Sequence, residues 1–181
     1  HGDILKRETF RDFDIAMPDK LTYITNGIAH RRWLLACNPR LTELITDTIG
    51  EKWKTEPQLL RELLPYRDDA AFRKAFADIK QHNKHVFNAF LDKRQQMTVD
   101  PDAIFDVQVK RLHEYKRQML NILHVLVLYN RIMDDPNFVM TPRVFIFGAK
   151  ASPGYVKAKM IIRFILAVSR LIERSPRARK M

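Results

Sequence analysis

Two short β-type runs, each followed by a long apolar helical segment, limit this chain more than any other feature. Residues 104–109 (IFDVQV) and 143–147 (RVFIF) are β-branched and aromatic, whereas 119–133 and 155–172 carry apolar side chains at helical spacing. The order β-α-β-α from residue 104 predicts an α/β fold with a parallel sheet and right-handed crossovers. Segment 119–133 is apolar nearly all round except for Asn121, His124, Asn130 and Arg131, the pattern of a helix buried on most sides.

Residues 1–103 read as a helical lead-in, and 104–181 as the α/β part. A weakly amphipathic start, residues 1–14, predicts a short helix feeding a loop closed by Pro18. Residues 21–25 predict a strand or extended segment entering a tight turn at Asn26-Gly27. RRWLLA at 31–36 favours helix, Asn38-Pro39 interrupts it, and Pro39 opens a second helix that Gly50 stops. The stripe Leu59, Leu60, Leu63, Leu64 is expected to end at Pro65. Asp68 or Asp69 then caps the longest helix, running to Lys93 with Phe72, Phe76, Ile79, Val86, Phe87, Phe90 and Leu91 recurring at roughly helical spacing. The basic tail ERSPRARKM is expected to fray.

Charge narrows the classes of function. Lys and Arg number 32 against 21 Asp and Glu, and the net +11 predicts attraction to phosphates, nucleic acid or another anion. The single cysteine, Cys37, excludes an intramolecular disulfide framework and fits a reducing compartment, with cytoplasm as the default. No apolar signal segment opens the chain and no apolar run approaches bilayer length, so no membrane association is expected.

The densest chemical signal is DVQVKRLHEYKR at 106–117, where a strand delivers Lys110, Arg111, Lys116 and Arg117 to the start of a helix. Cations there oppose the positive end of the helix dipole unless an anion occupies the site. Arg grips phosphate through two donors and Lys acts as a point charge, so the mixed set suits phosphoryl groups. A solvated basic face is the competing reading. His113 is either an acid–base group or a structural hydrogen-bond donor. His82 and His85, one helical turn apart, lack a third ligand, and no metal is expected.

Three stretches, TNGIAHRRWLLACNP, FDVQVKRLHEYKRQMLN and GAKASPGY, resemble in order and spacing the α-glucan (glycogen, starch and maltodextrin) phosphorylases. That family is much longer, so the chain resembles an internal segment approaching and entering its C-terminal nucleotide-binding-like domain. The resemblance implies part of a doubly wound, Rossmann-like, two-domain glycosyltransferase fold with the active site between the domains. It implies reversible phosphorolysis of terminal α-1,4 bonds to glucose 1-phosphate, with pyridoxal 5′-phosphate as cofactor. The Schiff-base lysine is expected outside this chain, and the segment alone is expected to be inactive. Glucan and inorganic phosphate are the implied partners, in a cytoplasmic, allosteric homodimer.

By motif position, Lys110 resembles a ligand of the cofactor phosphate, Arg111 a clamp for inorganic phosphate, and Lys116 a cation near both. Val109 resembles the backbone neighbour of the cofactor, and Trp33 the indole beside the pyridoxal ring; an ordinary buried Trp is its alternative. Tyr115 resembles the residue bonding a glucosyl hydroxyl, Asn26 the contact to the sugar 6-hydroxyl, and Tyr155 an aromatic lining the active-site mouth. Ala29-His30 departs from the family's Thr-Pro, and GAK from its Gly-Gly-Lys. A basic nucleic-acid-binding module is the alternative function, although no helix-turn-helix turn, aromatic platform or zinc ligand set accompanies the charge.

Overall fold

The computed structural model describes residues 1–180, in two compact units, His1–Ile79 and Lys80–Met181.

The first unit opens with helical turns over Gly2–Ile4, Leu5–Thr9 and Arg11–Ala16. The Tyr23 ring occupies the place where a Cβ on Gly2 would stand, so this close approach requires glycine. The strand expected at 21–25 does not form. A strand needs a ladder partner, and among the described residues the one sheet pairs two segments of the second unit. Residues 20–29 carry neither helix nor strand. Asn26-Gly27 forms no hydrogen-bonded turn either, and Gly27 does not take a positive φ. RRWLLA coils as the wide-wound turn Arg31–Ala36.

Pro39 occupies the first turn of helix α1 (Pro39–Ile49), where its missing N–H costs nothing, and Gly50 ends it at φ 78°. Behind α1 the indole of Trp53 is fully buried and donates to Thr46 Oγ1 at 3.3 Å. The leucine stripe winds as a 3-10 stretch, Pro57–Asp68, that continues through Pro65 instead of ending there. Proline breaks an α-helix by removing an i→i−4 bond and striking the carbonyl four residues back; the tighter 3-10 winding makes i→i−3 bonds and forfeits only one donor. Asp69 Oδ1 then accepts the Phe72 N–H at 2.7 Å, capping helix α2 (Ala70–Gln95).

The second unit holds strand β1 (Ile104–Val109), helix α3 (Gln118–Asp134), strand β2 (Arg143–Gly148) and helix α4 (Val156–Glu173). The strands pair in parallel, with Ile104 opposite Arg143 and Val109 opposite Gly148, as the β-α-β-α order requires. Ile122 and Val125 of α3 meet Val168 of α4, with Phe145 and Phe147 of β2 against them. A second cluster joins Leu112 to Ala158 and Ile161 of α4. Complete burial of such side chains contributes about 1.5–3 kcal/mol each.

Two expectations fail in this unit. Helix α3 buries one stripe only, leaving Leu120 62% and Val127 48% exposed, because a two-stranded sheet covers one face of a helix however apolar its other faces are. The tail, in turn, does not fray over its described part. Ser175 Oγ accepts the Ala178 N–H at 3.2 Å, Arg177 donates to the Asp135 carbonyl at 2.6 Å, and Ala178 is buried. These bonds offset the ordering entropy that charge repulsion alone would leave uncompensated.

Candidate functional site

The junction between β1 and α3 carries the cations. Beyond Val109 the chain stays beside the end of β2: the Lys110 N–H donates to the Gly148 carbonyl at 2.9 Å and the Leu112 N–H to that of Lys150 at 3.0 Å. Leu112 is 1% exposed in the cluster with α4, and its neighbour Arg111 is left at the surface. The alternation of an extended chain separates them, one side chain inward and the next outward. A 3-10 turn, Glu114–Lys116, leads to Arg117, which adopts left-handed φ 63° and ψ 29° immediately before α3. That conformation is costly for a side chain with a Cβ. Lys116 Nζ stands 5.6 Å from the Tyr115 ring centre.

One carboxylate lies within this stretch, and it is already engaged. The Tyr155 hydroxyl donates to Glu114 Oε2 at 3.0 Å and accepts the Glu114 N–H at 3.3 Å, while Lys157 Nζ donates to Glu114 Oε1 at 3.2 Å. The Tyr155 hydrogen bond, and after it Lys157, hold the Glu114 carboxyl below the usual glutamate range. Among the described residues Lys110, Arg111 and Lys116 therefore pair with no carboxylate. Unneutralised cations this close together in the chain, ahead of a helix start, are of the types that suit phosphate, with point charges from Lys and a planar fork from Arg. Of these three cations Arg111 lines a pocket of about 260 Å³, together with Leu112, His113, Lys150, Ser152 and Tyr155.

His113 makes aromatic contacts, its ring centre 5.6 Å from that of Tyr115 and 5.7 Å from that of Tyr155. Val109 and Tyr115 are 65% and 75% exposed. The junction thus gathers Val109, Lys110, Arg111, Tyr115 and Lys116 within the second unit. Asn26 and Trp33 belong to the first unit, both exposed. At 65% exposure Trp33 is not an ordinary core tryptophan; Trp53 fills that role.

Sequence reasoning missed three amides at this junction. Gln118, 1% exposed, donates through Nε2 to the carbonyls of Arg111 (3.2 Å) and Lys110 (3.5 Å). Gln108 Nε2 donates to the Lys116 carbonyl at 3.0 Å, and Asn121 Nδ2 to Gln108 Oε1 at 3.0 Å. The available signal was Gln118 and Asn121 in the first turns of a largely apolar helix, three residues apart and hence on one face.

A family model described as carbohydrate phosphorylase matches residues 1–181. The muscle form of glycogen phosphorylase from Rattus norvegicus is 48% identical over 176 residues, covering 97% of this chain and 21% of its own. The human muscle form and the bovine liver form are each 47% identical over the same coverage. The chain thus spans about a fifth of the length of the curated relatives it matches.

Proposed function

The chain belongs to the carbohydrate phosphorylase family, and on that premise we propose that it is the stretch of an α-glucan phosphorylase that carries the phosphate-binding cations. Residues 1–103 lead into a C-terminal nucleotide-binding-like domain that 104–181 begin. The parent enzyme releases glucose 1-phosphate from glucan ends with inorganic phosphate, in a cytoplasmic, allosterically controlled homodimer. Pyridoxal 5′-phosphate, held covalently by a lysine outside this chain, would supply a phosphate group able to exchange a proton with the substrate phosphate. Lys110 holds the cofactor phosphate, Arg111 clamps the substrate phosphate, and Lys116 lies near both. By motif resemblance Val109 would border the cofactor through its backbone and Trp33 would pack beside its ring. Tyr115 and Asn26 bond glucosyl hydroxyls.

The observation that carries this reading is the engagement of Glu114 by Tyr155 and Lys157, which leaves Lys110, Arg111 and Lys116 free of carboxylates among the described residues. Two phosphates brought together repel one another strongly where water is scarce, and fixed cations offset that repulsion at no reorganisation cost. The names of the relatives support a phosphorylase, and nothing supports the nucleic-acid alternative. Arg111→Ala in the parent enzyme is expected to lower phosphorolysis by about 100-fold, the scale of losing one preorganised donor, with weakened phosphate dependence. Steady-state kinetics at varied phosphate test this, and unaltered kinetics would remove Arg111 from the phosphate site.

A further inference from the structure

Three of the four cations of the junction, Lys110, Arg111 and Lys116, share a property that their charge does not explain: the backbone carbonyl of each accepts a hydrogen bond from a neutral side-chain amide. Gln118 holds the carbonyls of Lys110 and Arg111, at 3.5 and 3.2 Å, and Gln108 holds that of Lys116 at 3.0 Å. Asn121 fixes Gln108 in turn, donating to its Oε1 at 3.0 Å. We propose that Gln118, Gln108 and Asn121 are positioning residues for phosphate binding, setting the directions of Lys110, Arg111 and Lys116 without neutralising them. The proposal rests on the phosphate-site reading above.

From the sheet side the stretch is tied at two points, Lys110 N–H to Gly148 and Leu112 N–H to Lys150. Gln118 holds the Lys110 carbonyl between those ties and adds a second bond to the Arg111–Leu112 peptide that Lys150 already holds, so the peptides on both sides of Arg111 are held and its Cα–Cβ direction is determined. Without the amide the Lys110–Arg111 peptide would lose this hold and its carbonyl would turn to water, whereas the Arg111–Leu112 peptide would keep its bond through the Leu112 N–H, so Arg111 would be held on one side only. Two acceptors facing one amide also determine its orientation, since the reverse flip would set oxygen against oxygen. Gln118 Oε1 is buried and, among the described residues, has no hydrogen-bond partner. The group is thus fitted to its place by its donor side.

Neutrality is the second part. The first turn of a helix ordinarily favours Asp or Glu, yet α3 has no acidic residue there. A glutamate at 118 would set a negative charge against two carbonyls and beside the cations that must attract phosphate. An amide of the same length supplies the donors and leaves the positive field intact.

The test is Gln118→Met in the parent holoenzyme, which keeps length and burial and removes the donor. Phosphate KM is expected to rise about ten-fold, the scale of a small misplacement of a binding group, while glucan KM stays within two-fold. Gln108→Met, which releases the Lys116 carbonyl, should move phosphate KM in the same direction, and it decides the matter if Gln118→Met does not fold. Equal losses in both KM values, or an unchanged phosphate KM in the folded variants, would overturn the positioning role. Arg111→Ala is assayed in parallel. If it raises phosphate KM and the amide variants do not, this inference alone fails; if it too leaves phosphate KM unchanged, the phosphate-site reading fails with it.

Discussion

Leu112 is the side chain that pins the cation-bearing stretch to the core, so its truncation should cost more than its position in a surface loop implies. It is 1% exposed and packs with Ala158 and Ile161, with Ala151, Tyr155, Ile162 and Ile165 around them. Leu112→Ala removes about three carbons at roughly 0.8 kcal/mol each, or about 2.4 kcal/mol of transfer free energy. A cavity contribution adds to this, because Ala158 and Ile161 sit on a helix that cannot follow the shrinking side chain. The adjoining pocket of about 260 Å³, which Leu112 lines, lets the stretch relax and keeps that contribution small. The expected total is about 3 kcal/mol, or about two decades in the opening equilibrium. Both tryptophans, Trp33 and Trp53, lie in the first unit, so tryptophan fluorescence does not report on this change. Hydrogen exchange at the amides of β1 and α4 does, and their protection should fall about 100-fold. Leu112→Met, which conserves volume, should cost less than about 1.5 kcal/mol. Unchanged protection of α4 in Leu112→Ala would refute the anchoring argument.

Arg117 holds a left-handed conformation at φ 63°, so Arg117→Gly should stabilise the second unit by about 1 kcal/mol, after allowing for the greater freedom of glycine when unfolded; a loss of hydrogen-exchange protection at α3 would show that the arginine side chain holds the turn. The Glu114 carboxyl lies below its ordinary value because of Tyr155 and then Lys157. Its contribution to stability is therefore present above the unfolded glutamate pKa of about 4.3 and is lost as pH falls through the lower folded value. Tyr155→Phe should raise the Glu114 titration midpoint measured by NMR, and an unmoved midpoint would assign the shift to another cause.

Elements whose signals are local were legible in the residues. Pro39 and Gly50 bound α1 because each has a backbone preference of its own, and Asp69 caps α2 through a bond three residues along. The pair β1 and β2 was legible because period and order together leave a parallel crossover as the short solution. The segment 21–25 misled because β propensity describes a surface that fits a sheet and is silent on whether a partner strand exists. Segment 119–133 misled similarly, since an all-round apolar pattern does not count the neighbours available to cover it. Trp33 and Trp53 were indistinguishable by composition; burial separated them.

At the candidate site the same division holds. Residue types by themselves determined that Lys110, Arg111, Lys116 and Arg117 crowd a strand-to-helix junction, because charge and sequence spacing are properties of the chain. Only the tertiary structure decided that Glu114 is taken by Tyr155, 41 residues away, and by Lys157, 43 residues away, so that the junction keeps its charge. Only it decided that Gln118 turns toward the carbonyls of Lys110 and Arg111. Hydrogen-bond partners far along the chain are chosen by packing, which brings distant side chains within about 3 Å of one another, and no local pattern encodes that choice.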